Sequence, residues 1–203
     1  MDSLRRLEEI FAHFPGIGPR QARRFVYYLL NKSPASIKEF IGLIEEVKKD
    51  TAQCGQCHRF FIDKNGKSPL CPVCLDSSRD ASTLMIVARD SDFETVEKSG
   101  AYKGLYFILG GTVPLLDKEP EKRIRLKTLL ERISKAEGLK EIILSLNTTP
   151  DGEHTADIVK DAVHKIMNGK KMAVTILGRG LSTGAELEYA DGETIKNALL
   201  NRH

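Results

Sequence analysis

The 203-residue chain contains no tryptophan, and aromatic residues make up only 6% of it. A broad aromatic platform is therefore disfavoured as the main way to hold nucleic acid. No stretch approaches the roughly 18 to 20 apolar residues that a membrane span requires, so no membrane partner is expected. The opening Met1-Asp2-Ser3-Leu4-Arg5-Arg6 runs into an amphipathic pattern carrying Glu8 and Glu9. That is neither the apolar core of a signal peptide nor an acid-free transit segment, and a cytoplasmic location is the expectation. Excess charge is also scarce: 31 Lys and Arg against 28 Asp and Glu leave a net +3. Bulk charge does not imply a polyanionic partner, which must be argued from local clusters.

Two nucleotide motifs fail on spacing. Asn65-Gly66-Lys67-Ser68 resembles the end of a phosphate-binding loop, but Phe61 stands where its first glycine is needed. Gly178-Arg179-Gly180 follows a strand pattern as a dinucleotide fingerprint would, yet Thr183 occupies the third glycine position and Gly184 comes one residue late.

What remains is an ordinary globular composition, 41% hydrophobic and 29% charged, in a length that suits one large domain or a few small ones. Residues 2–30 read as two helices around Pro15-Gly16-Ile17-Gly18-Pro19, and Ser33-Pro34 punctuates before a third helix with Ile37, Phe40, Ile41, Ile44 and Val47 at helical spacing. Residues 51–78 lack periodicity and read as loops and short hairpins held by something other than a core. Beyond Ser82, strands at 83–87, 104–109, 141–146 and 172–177 alternate with helices at 93–97, 122–135 and 152–167. Such alternation predicts an α/β fold with a largely parallel sheet flanked by helices. A short helix at 194–200 ends the tail that starts at Gly178.

All four cysteines fall in the aperiodic segment. Cys54-Gly55-Gln56-Cys57 and Cys71-Pro72-Val73-Cys74 form two CxxC knuckles separated by thirteen residues. Each two-residue gap lets both thiolates of a knuckle face one tetrahedral ion, and four sulfurs leave no open position for water. One structural Zn2+ is expected; two disulfides or a redox pair are the competing readings. In the first break, Gly16 and Gly18 let backbone N–H groups approach a phosphate, and the following helix N-terminus adds its positive end. Arg20, Arg23 and Arg24 begin that helix, with Arg20 and Arg24 on one face, suited to phosphates rather than bases. This is a helix-hairpin-helix pattern, although a Gly-Ile-Gly turn also joins helices without DNA. A third cluster, Asn147-Thr148-Thr149-Pro150-Asp151-Gly152-Glu153, falls between a strand and a helix, where parallel sheets hold ligands. Acids there also serve simply to complement the helix dipole.

In this order, the Pro15-Gly16-Ile17-Gly18-Pro19 turn with its arginine helix, the four cysteines, residues 147–156 and Gly184-Ala185-Glu186-Leu187-Glu188-Tyr189-Ala190-Asp191 resemble the RecR family of bacterial recombination mediators. The resemblance implies a helix-hairpin-helix DNA-binding module at 1–51, a four-cysteine zinc finger at 52–78, a Toprim domain at 79–177 and a C-terminal segment at 178–203. It also implies sequence-independent DNA binding through Gly16, Gly18, Arg20, Arg23 and Arg24. With it come assembly as a ring-shaped tetrameric clamp, nucleoid association, and work with RecO and RecF in a RecBC-independent repair pathway.

Toprim enzymes hold magnesium with a glutamate after the first strand and an Asp-x-Asp after a later one. Here Ala88 stands at the glutamate place, and Asn147 and Thr149 stand at the aspartate places. A methyl group, an amide and a hydroxyl do not make the anionic cage a hard cation prefers, so no catalysis is expected. Asp90, Asp151 and Glu153 are then candidates for a partner surface. The competing functions are a divergent Toprim nuclease or primase using those three acids, and a zinc-ribbon module that binds protein. The stretches 110–114 and 117–125 depart from the family pattern.

Overall fold

Four of the chain's eight prolines, Pro19, Pro34, Pro72 and Pro150, open helices, where the missing N–H costs no intrahelical bond. The computed structural model describes residues 2–64, 66, 68–117, 119, 122–167 and 172–202. Asn65 and Lys67 of the rejected phosphate-loop match, Lys118, Pro120 and Glu121 of the divergent charged stretch, and His203 of the tail lie outside the described residues. Contacts divide the chain into two units, Met1–Thr51 with Ile62–Gly66, and Ala52–Phe61 with Lys67–His203.

In the first unit, α1 (Ser3–Ala12) is capped by Asp2, whose carboxylate accepts from the Arg5 N–H at 2.8 Å. Helix α2 (Pro19–Leu30) buries Ala22 and Val26. The Phe11 ring meets Phe14 and Phe25 edge-on at 5.4 and 5.7 Å, closing the two helices around the glycine turn. Helix α3 (Pro34–Asp50) is capped by Ser33, whose hydroxyl accepts from the Ser36 N–H. Its apolar stripe has the expected spacing, but α3 buries no residue, and Phe40, Ile41, Ile44 and Val47 are 45–58% exposed. Periodicity identifies such a face without supplying anything to cover it. Phe11, Phe14, Phe25, Tyr28, Ile37 and Phe40 help line an open apolar groove of about 690 Å³.

Strands β1 (Thr51–Gln53) and β2 (Phe60–Ile62) pair in a hairpin through which the division between the units runs. A single-turn helix α4 (Pro72–Leu75) follows, then β3 (Asp80–Val87), α5 (Asp90–Ser99), β4 (Gly104–Ile108), α6 (Leu126–Lys135), β5 (Glu141–Ser145), α7 (Pro150–Ile166) and β6 (Ala173–Ile176). A 3-10 turn at Leu187–Tyr189 precedes α8 (Gly192–Leu200). The sheet has the order β4-β3-β5-β6 and every pair is parallel, with Met85 opposite both Tyr106 and Ile143. The expected α/β architecture is therefore present.

Alternation along β3 divides the core. Leu84 and Ile86 join Phe107, Ile142 and Leu144 against Leu129 and Ile133 of α6 and Val159 and Val163 of α7. Met85 and Val87 face the other way, with Tyr106 and Ile108, against Phe93 of α5 and against Cys54, Cys57, Phe61, Cys71 and Val73. The cysteine segment is thus part of the sheet's covering layer, which corrects the expectation that it is held apart from any core. Several helix boundaries also differ from expectation, most at the starts of α5 and α6. Helix α5 starts three residues before 93 because Asp92 accepts from the Arg89 N–H at 2.9 Å, and it ends at Gly100 in the left-handed region. Helix α6 starts at Leu126 rather than 122 because the Arg125 N–H is used by the Leu109 carbonyl at the end of β4.

Gly152, in the first turn of α7, is fixed by close packing: a Cβ there would lie 2.0 Å from the Asn147 carbonyl oxygen. Both atoms are backbone or rigidly attached to it, so neither can swing aside. Gly152→Ala is expected to lower stability by about 3 kcal/mol or prevent folding, read as the urea midpoint, with no change in slope for protein that still folds.

Candidate metal centre and nucleic-acid interface

Cys54 and Cys57 lie on the loop between β1 and β2, while Cys71 caps α4 and Cys74 sits inside it. Their ligand atoms all lie within 4.8 Å of one another, and the Cys57 and Cys71 sulfurs are 3.6 Å apart. Four thiolates on a tetrahedral ion at about 2.3 Å would stand about 3.8 Å apart, so the set fits such an ion. All four are free, which excludes the two-disulfide reading for this structure. No other group of three or more His, Cys, Asp or Glu ligand atoms converges in this way among the described residues.

The loops are pre-shaped for the ion. The Cys71 N–H donates to the Cys54 sulfur at 3.3 Å, and the Gly55 N–H donates to the Pro69 carbonyl at 2.8 Å, tying one knuckle to the other. Cys54, Cys57 and Cys71 are fully buried and Cys74 partly so. Hydrogen bonding to Cys71 and Cys74, with burial, raises the Cys57 thiol, whereas accepting from Cys57 lowers Cys71. The sulfurs therefore share protons that a metal must displace. The knuckle is anchored to the sheet: the Ile108 N–H donates to the Cys57 carbonyl at 2.9 Å, and Arg132 Nη1 reaches the carbonyls of Gln56 at 2.9 Å and Tyr106 at 2.6 Å. Nothing local in the sequence marked Arg132. His58, beside the second cysteine, packs its ring edge-on to Phe107 at 5.2 Å, and burial with Arg125 and Arg132 holds its pKa below the usual value.

In the helical unit, Gly16 has φ +75°, a conformation that favours glycine. Gly18 is extended, at φ −87° and ψ 170°, and a Cβ there would meet nothing within 4 Å. The turn thus favours glycine at 16, whereas nothing within the fold requires position 18 to lack a side chain. The N–H groups of Gly18, Arg20 and Gln21 have no acceptor among the described residues. Arg20, Arg23 and Arg24 are all exposed, Arg20 and Arg24 on the side of α2 away from buried Ala22 and Val26 and Arg23 flanking them. Arg23 pairs with Glu8 at 3.3 Å and Arg24 Nη1 touches Gln21 at 3.5 Å, while Arg20 has no ion-pair partner among the described residues.

The third cluster is built differently from a metal cage. Ala88 is buried at the end of β3. The Thr149 hydroxyl accepts from the Gly152 N–H at 3.2 Å, capping α7. Asp90 accepts from the Phe60 N–H at 2.8 Å, Asp151 accepts from the Leu115 N–H at 3.2 Å, and Glu153 pairs with Arg179 at 2.7 Å. Each acid therefore holds a different segment, and the three are not brought together as one set of ligands.

A parallel four-stranded sheet with these loops at its strand ends defines a class, and residues 82–185 match the model of the Toprim domain. Residues 180–203 match the model described as "RecR, C-terminal". The Recombination protein RecR of Lactobacillus helveticus is 32% identical over 196 residues, spanning 97% of this chain and 94% of that protein. Those of Chloroflexus aggregans and Ruegeria pomeroyi are each 35% identical across 97% of this chain, covering 91% and 93% of their own lengths. The chain belongs to the RecR family. Among the described residues no helix is long and apolar enough to cross a membrane.

Cys71→Ala leaves three sulfurs and opens the shell. Purified variant is expected to lose most bound metal by elemental analysis, and wild-type protein is expected to release its ion as acid protonates the thiolates. Because Cys71 packs with Val87 and Ile108, the loss should lower the melting temperature of the whole second unit.

Proposed function

We propose that the chain is a non-catalytic recombination mediator that holds DNA through phosphate contacts and works with RecO and RecF in RecBC-independent repair. The observation that carries this reading is the face of α2: three exposed arginines beside a glycine turn with unpaired N–H groups. Phosphates accept from both kinds of donor, and neither reads a base. The modules are assigned as 1–51 for DNA, 52–78 for the finger, 79–177 for the Toprim scaffold and 178–203 for the tail. The ion is assigned as Zn2+, because a four-thiolate set favours a closed, redox-inert site.

Absence of catalysis is supported by Ala88, Asn147 and Thr149 at the places where Toprim enzymes carry carboxylates, and by the separate structural engagements of Asp90, Asp151 and Glu153. Those three acids are assigned to the partner surface. A tetrameric ring is supported by the uncovered apolar stripe of α3, which a second copy could bury. Several weak arginine faces in one ring raise affinity through effective concentration, which reconciles DNA binding with a net charge of only +3. The location assigned is the cytoplasm, at the nucleoid.

Arg20→Ala with Arg24→Ala is expected to weaken DNA binding at least about tenfold and to flatten the salt dependence by about two phosphate contacts, with unchanged circular dichroism. Unchanged affinity would remove the assignment. Gly18→Ala should fold normally and still bind more weakly, because its new methyl group faces the phosphate and not the protein. Magnesium-dependent strand scission that disappears in Glu153→Gln would overturn the non-catalytic reading.

A further inference from the structure

The arginine face of α2 holds one side chain that phosphate binding does not use. At 100° per residue, Arg20, Arg24, Tyr27 and Asn31 fall within roughly 60° of arc. Arg23 flanks them, and buried Ala22 and Val26 lie on the opposite side. Tyr27 is 52% exposed, and among the described residues its side chain makes no hydrogen bond, ring contact or cation contact. Its neighbour Tyr28 differs: Lys32 Nζ lies 4.3 Å from its ring centre, and the ring lines the apolar groove. Its backbone carbonyl accepts from the main-chain and side-chain N–H groups of Asn31. Among the described residues the fold thus uses the Tyr27 ring in no polar, ring or cation contact, and it stands one helical turn beyond Arg24. Glu8 of α1 is already paired with Arg23.

We infer that Tyr27 is a stacking platform for one unpaired base of a single-stranded nucleic acid whose neighbouring phosphates rest on Arg20 and Arg24. This rests on the DNA reading above and adds the substrate class to it. An aromatic ring offers its face to any base, but a base in a duplex already has both faces covered by its neighbours, so only an unpaired one can use it. A single ring is consistent with the low aromatic content, since it supplies preference while the arginines supply most of the hold.

The test compares three ligands of equal length, an oligothymidylate, a duplex and an abasic strand, against the full chain and its variants. Tyr27→Ala is expected to lose about tenfold in affinity for the oligothymidylate and to bind the other two as wild type does. Tyr27→Phe should retain the affinity, because stacking needs the ring and not the hydroxyl. The chain has no tryptophan, so Tyr27→Trp places a single fluorophore at the platform; oligothymidylate should quench it and the abasic strand should not. Equal losses of Tyr27→Ala on all three ligands, no loss on any, or equal quenching by both strands overturns the inference. If Arg20→Ala with Arg24→Ala weakens all three while Tyr27→Ala is silent, the DNA reading stands and the stacking platform falls. If the arginine variant is silent throughout, the DNA reading is the one that fails. Unchanged melting curves for the Tyr27 variants exclude misfolding as the cause.

Discussion

Four sulfurs crowded within 4.8 Å repel one another once ionised, and only a cation between them makes the arrangement favourable. That constraint reaches far beyond the two knuckles, because three of the four cysteines belong to the apolar cluster that covers Met85, Val87, Tyr106 and Ile108 of the sheet. A segment with almost no regular structure thereby serves as a covering layer for a parallel sheet. It is further tied by the Ile108 N–H of β4, which donates to the Cys57 carbonyl, and by the Arg132 side chain, which donates to the Gln56 and Tyr106 carbonyls; both fix the loop against elements distant in sequence. An ion bound by the four sulfurs would therefore be coupled to burial of that sheet face.

The open ends of the strands show the opposite economy. Where a magnesium site needs convergent carboxylates, this chain has a buried methyl at Ala88 and a helix cap at Thr149. Asp90 holds β2, Asp151 holds the loop after β4, and Glu153 holds Arg179 of the tail. Polar groups there thus join segments of the fold to one another. The proposed DNA contacts fall instead on α2, whose buried residues are Ala22 and Val26 and not its arginines.

Much of this was legible in the sequence wherever the physics is local. Two CxxC knuckles specify a tetrahedral thiolate site through the geometry of each short loop, and Arg20 with Arg24 share a face by helical period alone. Strand and helix alternation gave the parallel sheet, with the main errors at boundaries such as 93 and 122, where capping by Asp92 and the β4 contact of Arg125 decide the start. The exposed stripe of α3 was not legible as exposed, because a periodic pattern is the same whether or not a partner covers it.

The sequence by itself determined the helix faces, the two cysteine knuckles and the uncharged residues Ala88, Asn147 and Thr149 at the strand ends, since each depends on residue type and spacing over a few positions. Only the tertiary structure decided that the knuckles share the sheet's core, that Arg132 clamps Gln56 across 76 positions, and that Gly152 must lack a side chain beside Asn147. Those facts depend on which distant backbone atoms are brought within a few ångströms, and that proximity is set by packing the whole sheet at once.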